Sequence, residues 1–175
     1  LVGEIRDEET ARIAVQAALT GHFVLSSLHA TDSVAALHSF LDLGIESFLI
    51  ASSVLAVVGQ RLVRRTCPEC KKSYKPTAEE LAFYKAGGAP ARSTFYAGVG
   101  CNICSGTGYL GRVGVYEVLR ITPEIKRLIV GWASQEELRR LAVSQGMRTL
   151  QDEALTLVAN GVTTISEVIR AIYAF

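Results

Sequence analysis

The four cysteines of the chain form two Cys-x-x-Cys pairs, Cys67-Pro68-Glu69-Cys70 and Cys101-Asn102-Ile103-Cys104. No other feature restricts the fold as much. Two intervening residues let both sulfurs of a pair face one point, and two such pairs supply the four thiolates of a tetrahedral metal site. The pattern predicts a structural zinc site with Cys67, Cys70, Cys101 and Cys104 as ligands. With all four positions filled by protein, such a site leaves none open for catalysis. Iron, which Cys-Pro-x-Cys segments also bind, two disulfides, and free thiols are the alternatives. The stretch between the pairs is small and polar, and metal binding would hold its loops together.

A second pattern lies at the start of the sequence. Residues 2–4 and 23–28 read as short buried strands that end in the polar residues Glu4 and His29. Between them, Ala11, Val15, Ala18 and Leu19 recur at helical spacing, and Gly21 is a stop signal. Strand, helix and strand in this length make a minimal parallel crossover. Ligands in such sheets bind at the carboxyl ends of the strands. Glu4 and His29 are therefore expected on one edge, with His22 at the opposite end of its strand. A carboxylate and an imidazole side by side suit a metal–phosphate group: the first holds a metal or a water, and the second donates to a phosphate oxygen.

The remaining chain is read from its caps and periodicity. Asp32 caps a helix through residue 43, and a second helix is expected over 46–58. Residues 60–65 and 112–119 alternate as strands. Thr77-Ala78-Glu79-Glu80 and Ser134-Gln135-Glu136-Glu137 are capping boxes, Thr122-Pro123 is a cap followed by proline, and Thr149 and Thr164 open two more helices. His38 and Glu117 read as structural, Glu117 because nothing pairs with it in the sequence. With 175 residues, 49% apolar and 20% charged, the chain has room for one full core or a core and a satellite. A net charge of +1 offers no broad basic field for nucleic acid. The longest apolar run, residues 48–58, is interrupted by Ser52 and Ser53 and is too short to span a bilayer.

These motifs together resemble one family. Gly3-Glu4-Ile5-Arg6-Asp7-Glu8-Glu9-Thr10-Ala11 looks like the Walker B segment of the type II secretion and type IV pilus assembly ATPases. Thr20-Gly21-His22 through His29-Ala30-Thr31-Asp32 looks like their histidine box. Gly108-Tyr109-Leu110-Gly111-Arg112-Val113-Gly114-Val115-Tyr116-Glu117 is similar to the segment that follows their cysteine module. No Gly-x-x-x-x-Gly-Lys-Ser/Thr loop occurs in the chain, and the sequence opens inside the Walker B-like segment.

The resemblance implies an α/β fold: the C-terminal part of a RecA-like P-loop ATPase core over residues 1–66, a four-cysteine zinc module over 67–110, and a return strand with a helical unit over 111–175. It implies a homo-hexameric motor at the cytoplasmic face of an inner membrane. Such a motor hydrolyses ATP with magnesium and acts on a membrane platform protein. Glu4 would hold magnesium or polarise water, although Gly3 stands where many such ATPases carry Asp. His29 would meet the terminal phosphate, and Arg6 and His22 are candidate nucleotide contacts. The alternative for Arg6 is a surface ion pair with Glu9, and for His22 it is packing. In a cytosolic ATPase, disulfides are disfavoured. The presence of four cysteines favours the assembly or secretion branch over retraction motors. Alone, the chain is expected not to turn over ATP.

Two other classes compete. One is a zinc-ribbon interaction module without nucleotide chemistry. Within it, Cys-x-x-Cys-x-Gly-x-Gly at 101–108 resembles the repeat of J-protein zinc domains, but those carry several copies and this chain has one. The other is a hydrolase binding metal through Glu4, His22 and His29.

Overall fold

The computed structural model describes residues 1–173. The fold is mixed α/β with helices at its C-terminal end. The chain divides into two compact units, each made of two segments: residues 1–59 with 117–147, and 60–116 with 148–175. The stretch between the cysteine pairs does not stand alone. It contributes Tyr84 and Phe95 to the same core as Leu150, Leu155 and Val158.

In the first unit, α1 (Glu8–Leu19) is capped by Asp7, whose side chain accepts from Thr10 N–H. It buries Ala11, Ala14 and Val15, and the chain turns away at Gly21, whose φ of +97° a side chain would resist. α2 (Ser33–Asp42) is capped by Asp32, which accepts from the N–H groups of Val34 and Ala35. The helix α3 (Ser47–Ser53) is shorter than the expected 46–58. The β-branched Val54, Val57 and Val58 lead instead into β1 (Ala56–Thr66), and Phe48, Leu55 and Val58 are mostly exposed rather than buried. β1 pairs with β4 (Tyr109–Arg120) in a two-stranded sheet, and of these strands residues 56–59 and 117–120 belong to this unit. α5 (Pro123–Val130) and α6 (Gln135–Ser144) complete the unit, the latter on its capping box. Leu37, Ile45, Ile50, Leu119, Ile125, Ile129 and Leu138 fill the core.

The two segments expected as strands at the start of the chain are extended but form no regular strand. They run in the same direction and share two backbone hydrogen bonds, from Val2 N–H to Leu25 O at 2.9 Å and from Ile5 N–H to Ser27 O at 3.0 Å. The spacing is unequal on the two sides, so the two-residue repeat of a parallel ladder is broken. Between these bonds the Ser27 hydroxyl donates to Gly3 O at 2.8 Å, a side-chain bond where a ladder would use backbone.

In the second unit, β2 (Lys71–Tyr74) and β3 (Phe95–Gly98) pair antiparallel with Lys71 opposite Gly98 and Tyr74 opposite Phe95. α4 (Ala78–Ala86) rises from the Thr77 capping box between them. α7 (Leu150–Ala159), α8 (Ile165–Val168) and a π-helical turn, Ile169–Tyr173, supply the rest. Val63, Tyr84, Phe95, Val115, Leu155, Ile165 and Val168 are buried together. Among the described residues no helix is long and apolar enough to cross a membrane.

Candidate functional site

The four cysteine sulfurs converge in the second unit. They lie within 4.8 Å of one another. The separations Cys67–Cys101, Cys70–Cys104 and Cys101–Cys104 are 3.9, 3.8 and 3.7 Å. A tetrahedron with metal–sulfur bonds of about 2.3 Å has edges of about 3.8 Å. The cluster therefore fits one tetrahedral ion. It does not fit disulfides, whose sulfurs stand about 2 Å apart, and all four cysteines are free.

The loops that make the cluster are held by backbone. Cys67 N–H donates to Gly108 O and Val99 N–H to Cys70 O, while Cys101 and Gly108 N–H groups point at Cys104 Sγ from 3.2 and 3.3 Å. Gly98 and Gly108 face each other so closely that a Cβ on either would overlap the other's carbonyl. Without a metal, burial pushes the Cys70 thiol up to about 11. At Cys104 burial acts the same way but is outweighed by those N–H donors, and the thiol falls to about 6. Lys71, the residue after Cys70, lies over the Tyr96 ring at 4.7 Å.

In the first unit, Glu4 and His29 meet directly. His29 Nε2 lies 2.5 Å from Glu4 Oε1, and Arg6 lies 2.5 Å from Glu4 Oε2. Arg6 thus turns to Glu4 and not to Glu9. Its hydrogen bond, more than any other influence, holds the Glu4 carboxyl below the usual range. The Glu4 side chain is 23% exposed, and those of His29 and Arg6 are 85% and 72% exposed. The group is open to a ligand from solvent. His22 is not part of it: its Nδ1 faces Thr20 Oγ1 and Ala17 O, both at 3.3 Å, beyond the end of α1. Among the described residues only the four cysteines gather as three or more potential metal ligands, so Glu4, His22 and His29 do not form a shared metal site.

A family model described as type II/IV secretion system protein matches residues 1–170. The chain belongs to that family. It is 42% identical over 170 residues to the type IV pilus assembly ATPase PilB of Thermus thermophilus, covering 97% of this chain and 19% of that protein. It is 44% identical over 170 residues to the type II secretion system protein E of Pseudomonas aeruginosa, covering 97% and 34%. Two solved structures share its fold. The ATPase DotB of Yersinia pseudotuberculosis superposes with a TM-score of 0.62 at 20% identity, over 96% of this chain and 35% of that one. The pilus retraction motor PilT with bound ADP gives 0.62 at 20% identity, over 97% and 38%. The chain of this secretion-family protein thus spans 19% and 34% of the length of these two curated relatives.

Two carboxylates of this secretion-family chain are buried, and the sequence offered a partner for neither. Glu117, read as unpaired, is 1% exposed and accepts from Ser33 N–H at 3.0 Å and from the Ser33 hydroxyl. The signal was available: Glu117 falls on the same face of β4 as the buried Val115 and Leu119. Glu167 is also 1% exposed. It accepts from Arg64 Nε at 2.9 Å and Arg170 Nε at 2.8 Å, as well as from Arg64 N–H. Burial works against its ionised form, yet the two guanidinium groups bring its carboxyl down to about 2.

Proposed function

We propose that this chain is the C-terminal part of a RecA-like ATPase core belonging to a motor that drives type IV pilus assembly or type II protein secretion. The observation that carries the reading is the contact of Glu4 with His29, flanked by Arg6. Glu4 would hold magnesium or the attacking water, and His29 and Arg6 would offer donors to phosphate oxygens. ATP and magnesium supply the phosphoryl chemistry when bound. His22 lies apart, against Thr20 and Ala17, and would act across a subunit.

The four-cysteine cluster would hold zinc as a structural ion, since every ligand position is taken by a thiolate. The relatives named as pilus and secretion ATPases support the motor reading. The PilT and DotB likeness supports the fold. A homo-hexamer, a cytoplasmic station at the inner membrane and action on a platform protein belong to the same proposal. An interaction module without nucleotide chemistry leaves the Glu4–His29 contact without a purpose.

The test compares two chains. The 175 residues alone lack a Gly-x-x-x-x-Gly-Lys-Ser/Thr phosphate loop and should show no magnesium-dependent ATP hydrolysis. A longer chain that includes such a loop should hydrolyse ATP. In it, Glu4→Gln should lower kcat by roughly a hundredfold or more with ATP still bound. Hydrolysis undiminished by Glu4→Gln would overturn the assignment.

A further inference from the structure

The first unit holds a buried acidic group that the proposed chemistry does not use. Glu117 sits near the end of β4, 1% exposed, and is bound to residues 84 positions earlier in the chain. Its Oε1 receives both the backbone N–H and the hydroxyl of Ser33, which is itself fully buried. Ser33 is the first residue of α2, and its N–H is one of the donors that no turn of the helix can satisfy. The next two such donors, Val34 and Ala35, are taken by Asp32 at 3.0 and 2.9 Å. Two carboxylates therefore divide the N-terminus of α2 between them.

Arg139, from α6, joins the two. It lies 2.9 Å from Asp32 Oδ1 and 3.9 Å from Glu117 Oε2. A third element closes the place from another side. A Cβ at Gly59, in β1, would stand 3.2 Å from Ser33 N, so it is a glycine that lets β1 run this close to the turn. Two side chains distant in sequence, Glu117 and Arg139, thus hold one short piece of backbone.

That piece begins just after His29. Only Ala30, Thr31 and Asp32 separate the imidazole from Ser33. His29 itself is 85% exposed, and Glu4 is its ion-pair partner. Packing against the ring does not hold it in place, so its position depends on where the backbone on either side is anchored. Upstream, Ile5 N–H and the Ser27 hydroxyl tie residue 27 to the Glu4 segment. Downstream, Ser33 is an anchor, with Asp32 held beside it by Arg139.

We propose that Glu117 is a positioning residue for His29: with Arg139, it clamps the N-terminus of α2 through Ser33 and so holds the imidazole against Glu4. A charge-assisted hydrogen bond is stronger than a neutral one and more exacting in direction. A buried carboxylate without its partners would be costly, which keeps the clamp shut. The proposal rests on the reading of Glu4 and His29 as working groups, but its test contains no nucleotide. Failure of the clamp and failure of the ATPase reading can therefore be told apart.

The test uses NMR on the zinc-loaded 175-residue chain at one fixed pH. Glu117→Gln keeps an acceptor for Ser33 but removes the charge that faces Arg139. Ser33→Ala removes only the hydroxyl bond and keeps the backbone N–H. In Glu117→Gln, amide protection at Ser33 should fall about tenfold or more. The nuclear Overhauser contact between the His29 ring and the Glu4 side chain should weaken, and the His29 ring resonances should move. Ser33→Ala should do the same to a smaller degree, and it decides the matter if Glu117→Gln does not fold. Amides of the cysteine loops should be unchanged in both. Lost Ser33 protection with an unaltered His29–Glu4 contact would reduce Glu117 to a fold-stabilising group and overturn the proposal. Unchanged Ser33 protection in the variants would overturn the clamp itself.

Discussion

The cysteine cluster and the Glu4–His29 pair are built on opposite principles. The cluster has four like ligands, three of them buried, set by two local loops in which backbone N–H groups and close glycines leave little freedom. The pair joins unlike groups on two extended segments, with the imidazole in solvent and few backbone bonds between the segments. A closed ligand set stabilises and does nothing else. An open pair contributes little to stability and leaves its atoms free to meet a ligand. The difference predicts that stability and ligand chemistry separate cleanly by unit.

The largest effect should come from breaking the closed set. Metal binding in small thiolate units is worth about 10–16 kcal/mol. Removing the ion with a thiol reagent and a chelator should release one metal per chain. It should cut amide protection around Cys70–Tyr74 and Gly98 by roughly a thousandfold or more. Protection of Ile50 and Ile125, in the core of the first unit, should persist. Simultaneous loss in both units would mean that the metal stabilises both alike, and unchanged protease sensitivity of residues 67–110 would show the metal to be dispensable.

This cluster is also where the sequence was easiest to read. Four residues of one type, in two pairs of fixed spacing, state both the ligand and the geometry even though 34 positions separate Cys67 from Cys101. The capping boxes at Thr77 and Ser134 were legible for the same reason, since each is a bond over three residues. The contact of Glu4 with His29 followed from the strand–helix–strand pattern, although neither segment forms a regular strand. Glu117 could not be paired in advance because its partners, Ser33 and Arg139, come from other elements and long sequence separations. The early end of α3 was hidden because the apolar run 48–58 fits a helix by composition. Its β-branched second half prefers the strand, where Ile121 N–H donates to Leu55 O.

An intermediate effect should come from Glu167 in the second unit. Its carboxyl is lowered from the ordinary 4.5 to about 2 by Arg170 and Arg64, against the opposing influence of burial. A depressed carboxylate stabilises the fold fully above its unfolded value and loses that contribution as pH falls toward its folded value. The contribution is about 3 kcal/mol at neutral pH and should drain away between about pH 4.5 and 2. Glu167→Gln should therefore lower the protection of Leu155 and Val168 at pH 7. The gap from the wild type should narrow steadily as the solution is acidified through that window. A gap that stays constant with pH would mean that Glu167 acts through shape and not through charge.

The smallest effect on stability should come from the open pair, and it is the sharpest test of the comparison. Glu4 accepts from exposed partners, and water can replace them when the carboxylate is removed. Glu4→Gln should leave the thermal midpoint and the metal content of the chain unchanged within error. The same substitution removes the anion that meets His29 Nε2, so the His29 ring resonances should move at fixed pH while those of His22, beyond the end of α1, stay still. Stability and local chemistry would then respond to different residues in different units. If Glu4→Gln instead lowered the thermal midpoint by several degrees, the pair would be part of what holds the first unit together. Its exposure could then no longer be read as availability to a ligand, and the contrast with the cysteine cluster would reduce to one of degree.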